Sequence, residues 1–142
     1  PPPHVLDLGC GSGILAITAA KLGAAHVWAL DTDALAVQAA QENAARNGLT
    51  DRITVQQGSL ENLLGSSRRF GLILVNILAK TIIPMCEQGL GHIVQPGGAG
   101  IFSGIIADQA DDVEAALRGT GLVPYRRRQM GDWVSLEARR ET

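Results

Sequence analysis

In the run Val5-Leu6-Asp7-Leu8-Gly9-Cys10-Gly11-Ser12-Gly13, three glycines alternate directly after an apolar stretch. Glycine takes positive φ at little cost and lets a ligand approach the main chain closely. From Ile14 onward the pattern is helical, so a helix N-terminus with unpaired N–H groups follows the turn. The spacing narrows the ligand. A dinucleotide fingerprint reads G-x-G-x-x-G, whereas here the third glycine comes one residue early, which disfavours a pyrophosphate. No Gly-Lys-Ser/Thr follows, so a Walker phosphate loop is excluded.

Two carboxylates add to this picture. Asp31 closes the next apolar run, eighteen residues after Gly13, where it can accept both hydroxyls of a ribose. Asp33 is the better helix cap of that region. Glycine turn and Asp31 together point to a nucleoside-type ligand without pyrophosphate. Asp7 sits among Val5, Leu6 and Leu8, and a carboxylate there is costly to bury without partners. It either faces the ligand cleft, meeting an amine or a water, or accepts N–H groups from the glycine turn. Cys10 reads as a small filler within the turn. His4, His26 and His92 are scattered, and no Ser/His/Asp set stands out.

The elements that must position these residues alternate along the chain. His4–Gly9, Ala25–Asp31, Arg52–Gly58, Phe70–Asn76 and Ala99–Ile105 read as five strands, the apolar ones buried on both faces. Ile14–Gly23 reads as a helix with Ile14, Ile17 and Leu22 as core candidates. Asp33 opens the clearest helix and Asn47-Gly48 closes it. A third helical pattern over Ala79–Val94 is weakened by Pro84, Gly89 and Gly91, and Gln95–Gly98 reads as a turn. A last helix begins near Asp108, acidic early, as the helix dipole prefers. Two further strands, Leu122–Gln129 and Asp132–Arg140, form a hairpin about Met130-Gly131. The expected fold is α/β: seven strands, mostly parallel, a C-terminal antiparallel hairpin, and helices on both faces. One domain over residues 1–142 accommodates all of it.

Composition excludes several classes. With 46% hydrophobic residues, 18% charged residues and a net charge of −2, the chain is neither disordered nor built to coat nucleic acid or an anionic membrane. Two distant cysteines, Cys10 and Cys86, give neither a disulfide framework nor a zinc spacing. No apolar run is long enough for a bilayer. Pro1-Pro2-Pro3 leads straight into a core strand, so no secretory leader is expected and a cytoplasmic setting is the default. Arg126-Arg127-Arg128 reads as a solvated edge, and Trp28 and Trp133 read as packing residues.

The glycine motif, the acid ending the second strand and the closing hairpin resemble the class I methyltransferases that use S-adenosylmethionine. Asn76-Ile77-Leu78-Ala79, Pro96-Gly97-Gly98, Ser103-Gly104-Ile105, Asp108-Gln109 and Asp132-Trp133-Val134 narrow the resemblance to the ribosomal protein L11 methyltransferase family, over nearly the whole chain. The resemblance implies a Rossmann-like methyltransferase fold and an N-methyltransferase acting on lysine or N-terminal amines of that ribosomal protein. The cofactor implied is S-adenosylmethionine, with no metal. Gly9, Cys10, Gly11 and Gly13 would wrap its methionine part, with Asp7 beneath. Asp31 would hold the ribose, with Thr32 beside it, and Ser59 and Leu60 would lie by the adenine. Asn76 would stand near the donor methyl and the amine, as cofactor contact and as the catalytic, amine-positioning group. Ile77 and Leu78 replace the two prolines found at this point in amide and nucleobase methyltransferases. Family members also carry an N-terminal domain that grips the ribosomal protein, and no counterpart of it is expected within these residues. Two other classes stay open: a nicotinamide oxidoreductase, disfavoured by the glycine spacing, and a nucleoside-binding module without catalysis.

Overall fold

The computed structural model describes residues 2–142; Pro1, part of the expected lead-in, lies outside them. Seven strands form one sheet: β1 His4–Leu8, β2 His26–Asp31, β3 Ile53–Gln57, β4 Phe70–Asn76, β5 Val94–Ile106, β6 Leu122–Met130 and β7 Trp133–Arg140. Their order is β3-β2-β1-β4-β5-β7-β6. The first five run parallel, and β7 is antiparallel to both β5 and β6. The order reverses at β1 and β4, so a crevice opens beyond the carboxyl ends of these two strands. Helices α1 (Ile14–Lys21), α2 (Ala34–Arg46), α3 (Leu60–Leu64), α4 (Ala79–Glu87) and α5 (Ala110–Gly119) complete the chain.

The sheet has a core on each side. Leu6, Leu8, Ile73, Val75, Phe102 and Leu136 pack with α3, α4 and α5 on one face. Val5, Val27, Ala29 and Ile53 pack with α1 and α2 on the other. Alternation along each strand sends neighbouring residues to opposite cores. The α1 core differs from the sequence expectation. Ile14 and Leu22 are exposed and Ile17 is half-buried, while Ala16 and Ala20 face the sheet. The fully buried face of α1 is its alanine stripe, with Ile17 packed partly against the same core. Large apolar residues are left outside.

Asp33 caps α2 as expected, accepting the Leu35 N–H at 3.0 Å, and Gly48 takes a φ of 68° just past its end. The short α3 escaped the sequence reading, because a five-residue helix carries too little periodicity to see. Gln95–Gly98 is not a turn between elements. Phe70 pairs with Val94 and Leu72 with Ala99, so the extra residues form a bulge inside β5. A bulge is one of the few places where a sheet tolerates proline, here Pro96. The hairpin turn falls on Gly131-Asp132, one residue later than expected, with Gly131 at a φ of 60°.

Candidate functional site

The glycine turn closes at the reversal of strand order. Gly9, Gly11 and Gly13 have φ values of 77°, 54° and 88°, a region that side-chain-bearing residues rarely enter. The Gly9 and Cys10 N–H groups both donate to the Leu30 carbonyl, at 2.8 and 2.9 Å, which ties the turn to the end of β2. A Cβ at Gly9 would stand 3.0 Å from Ile77 Cγ2, and one at Gly13 would stand 3.1 Å from Ala40 Cβ. At Gly11 nothing lies within 4 Å. Two of the glycines therefore exist for packing, while Gly11 opens onto free space.

Asp31 does more than end its strand. Its Oδ2 accepts the Gly11 N–H and its Oδ1 accepts the Asp33 N–H, each at 2.9 Å. It thus fastens the glycine turn to the start of α2. An ionised carboxylate offers about four lone-pair sites, so roughly two remain for ligand donors. Thr32 beside it is exposed, and its carbonyl accepts from Gln57 Nε2 at 3.0 Å. The Gly58 N–H donates to the Asp31 carbonyl at 2.9 Å, which brings the residues after β3 alongside. There Ser59 is half-buried, with its N–H held by Asn62 Oδ1 at 2.9 Å. Leu60 turns its side chain into the core and leaves only its main chain for a ligand.

Asp7 is 1% exposed, the one charged residue among the described residues in the core. Its Oδ2 accepts the Ala16 N–H at 3.2 Å, in the first turn of α1, where Gly13 has no side chain to cap with. The donor thus comes from the helix just past the glycine turn. Burial raises its pKa to about 6, against the lowering effect of that hydrogen bond, and the nearby Asp31 charge adds to the rise. Burial pushes the Cys10 thiol up to about 12, with the Asp7 and Asp31 charges adding to it, so Cys10 is no nucleophile at neutral pH.

Across the crevice, at the ends of β4, β5 and β7, a cleft of about 490 Å³ is lined by Asn76, Ile77, Leu78, Gly104 and Trp133. Asn76 is exposed. Gly104 has a φ of 79°, and a Cβ there would stand 2.8 Å from Asn76 Oδ1 and 3.2 Å from the Ile77 carbonyl oxygen. The Ser-Gly-Ile stretch therefore leaves room for the Asn76 amide. Trp133 corrects the packing expectation: it is 53% exposed and forms a wall of this cleft. Sequence reasoning missed both Gly104 and Trp133 as site residues, although both stood in the quoted family motifs. Trp28 does pack against the core, with the Arg68 guanidinium 3.7 Å from its ring centre. The arginine run lies on the edge strand β6, where Arg126 pairs with Glu137 at 3.4 Å and Arg127 with Asp111 and Glu114 of α5.

A nucleoside-type group without pyrophosphate fits these residues: an open backbone cradle at Gly11, spare acceptor capacity on Asp31, and an uncharged cleft alongside. Strand order, closing antiparallel strands and glycine turn are those of the class I methyltransferase fold. Ribosomal protein L11 methylase from Lactobacillus delbrueckii subsp. bulgaricus superposes with a TM-score of 0.87 and 36% identity over 100% of this chain and 72% of that one. An RNA methyltransferase from Salinibacter ruber, solved in complex with S-adenosyl-L-homocysteine, shares the fold at a TM-score of 0.76 and 19% identity, over 97% of this chain and 80% of that one. The family model "Ribosomal protein L11 methyltransferase (PrmA)" matches residues 1–141, and the chain belongs to that family. The ribosomal protein L11 methyltransferase of Gloeobacter violaceus is 43% identical over 94% of this chain and 41% of its own length. The chain thus spans less than half the length of the curated relatives it matches. No helix among the described residues is long and apolar enough to cross a membrane.

Proposed function

We propose that the chain is the S-adenosylmethionine-binding, methyl-transferring part of a protein N-methyltransferase, acting on lysine or N-terminal amines of ribosomal protein L11 in the cytoplasm. The observation that carries this is the juxtaposition of two unlike half-sites in one crevice: the Gly11–Asp31 cradle and the Asn76 cleft. Family membership and the names of the relatives point to the substrate.

In this reading Gly9, Cys10, Gly11 and Gly13 bend around the methionine part of the cofactor, and Asp7 forms the floor beneath. Asp31 accepts the ribose hydroxyls with the lone pairs its backbone donors leave free. Thr32 stands beside it, and Ser59 with the Leu60 main chain flanks the adenine. The bound cofactor supplies a methyl group already activated on a sulfonium. Asn76 holds the incoming amine in line with it, and alignment is the larger part of what such a displacement needs. No residue lining the cleft is ionisable, so none there acts as a base. A lysine ammonium, ordinarily near pKa 10.4, sheds its proton to water as the cleft desolvates it. Asn76 would then face a neutral amine, with its lone pair free for the methyl group that the bound cofactor would supply.

The share of the relatives that the chain covers favours a second reading, in which these residues bind cofactor but need further chain to seat the ribosomal protein. Both are tested by incubating the chain with methyl-labelled S-adenosylmethionine and ribosomal protein L11, and mapping label by peptide mass. Label on amines supports the first. Cofactor binding without label supports the second. Absence of both contradicts the proposal.

A further inference from the structure

We infer that Trp133 captures the amine as a cation at the cleft mouth, before deprotonation, and so selects ammonium-bearing acceptors over neutral ones; the inference rests on the Asn76 cleft being the acceptor site. Trp133 is 53% exposed although it is a large apolar side chain at the start of a strand. Its register partners, Ile106 on β5 and Met130 on β6, are 41% and 85% exposed, so the indole sits in a row of exposed residues rather than in a core. It nevertheless lines the same cleft as Asn76. The rest of the lining is aliphatic or glycine, so the Asn76 amide is the one polar side chain there.

A cleft of this composition has no carboxylate to attract a lysine. The face of an indole attracts a cation within about 6 Å of its centre, most strongly when water is excluded. Ile77 and Leu78 offer apolar contact to the aliphatic stem, as long cationic side chains prefer. An aromatic wall also avoids the fault a carboxylate would introduce. It holds the ammonium without a formal charge that would stabilise the protonated, unreactive form strongly. Discrimination against hydroxyl or amide acceptors thus comes from the wall, and Asn76 is left to set direction.

The test uses the indole N–H resonances of the 142-residue chain, which has two tryptophans, with Trp28→Phe assigning them. The chain is titrated with acetyl-lysine methylamide and, separately, with acetyl-norleucine methylamide, which keeps the stem and lacks the ammonium. The lysine compound should shift the Trp133 resonance and bind roughly fivefold more tightly than the norleucine compound. Trp133→Leu should abolish the preference, read from the amide resonance of Leu78, and Trp133→Phe should keep part of it. Equal affinities, a preference that survives Trp133→Leu, or no shift at Trp133 would overturn the inference. Calorimetry with S-adenosylhomocysteine on the same preparation separates the two levels. Failure of cofactor binding sinks the methyltransferase reading, whereas normal cofactor binding without an amine preference sinks only the role of Trp133.

Discussion

The two halves of the crevice are built from opposite materials. Beyond β1 and β2 the surface is main chain and carboxylate: three glycines at positive φ, two N–H groups held by Asp31, and a buried Asp7. Beyond β4, β5 and β7 it is aliphatic and aromatic, with one amide and no ionisable group in the cleft lining. In the proposed reading the first half binds the cofactor, and its buried Asp7 carries an electrostatic cost. In the proposed reading the second orients the amine. A reaction whose electrophile arrives already activated needs both and needs no general base, which is how the difference relates to the proposed chemistry.

The sharpest way to break the binding half is Gly11→Val. Its Cβ meets no protein atom in the structure, so the fold should survive with a cost of about 1–2 kcal/mol for the left-handed backbone. The same side chain would fill the cradle, and affinity for S-adenosylhomocysteine should fall more than about a hundredfold, or 2.7 kcal/mol. Near-normal affinity in calorimetry would reduce the turn to a connector.

Asp7→Asn probes what the buried carboxylate costs. Its folded-state value of about 6 lies above the ordinary 3.8, so the folded form takes up the proton first. The contribution of Asp7 to stability is therefore most favourable below about pH 4, falls as pH rises through about 6, and carries the full penalty at neutral pH, at most roughly 3 kcal/mol. Asparagine can still accept the Ala16 N–H. The variant should unfold at higher denaturant concentration at pH 7.5, with a flatter pH profile, and should bind cofactor more weakly. A less stable variant at pH 7.5 would show that the charge is compensated.

Gly104→Ala tests the orienting half. The new Cβ would press on Asn76 Oδ1 and the Ile77 carbonyl. Turnover, measured with ribosomal protein L11, should fall about tenfold, roughly 1.4 kcal/mol in the transition state, with cofactor affinity changed less than threefold. A loss shared equally between the two would place Asn76 in the binding half instead.

The binding half was legible in sequence for a physical reason. A close backbone approach demands glycine, and glycines at alternate positions after an apolar run are visible without a structure. Asp31 was legible by position, but its grip on Gly11 and Asp33 was not, because a side chain's second partners depend on how two turns meet. The orienting half was mostly illegible. Gly104 matters because of Asn76, twenty-eight residues earlier, and Trp133 reads as a packing residue until its place at the first residue of β7, just past the hairpin turn, leaves it exposed. The alanine face of α1 was misread for a related reason: tertiary contact, not side-chain size, decides which face of a short helix meets the sheet.

The division between the halves is the central claim, and one calorimetric comparison tests it. S-adenosylhomocysteine is titrated into the chain, into Asp31→Ala and into Asn76→Ala. The account predicts saturable one-to-one binding to the parent chain, weakened by about 1.5–3 kcal/mol in Asp31→Ala, as for a lost hydrogen bond to a charged group. Asn76→Ala should bind within about threefold of the parent, because its work is done on the amine. No binding by the parent chain, or equal losses in the two variants, would contradict it.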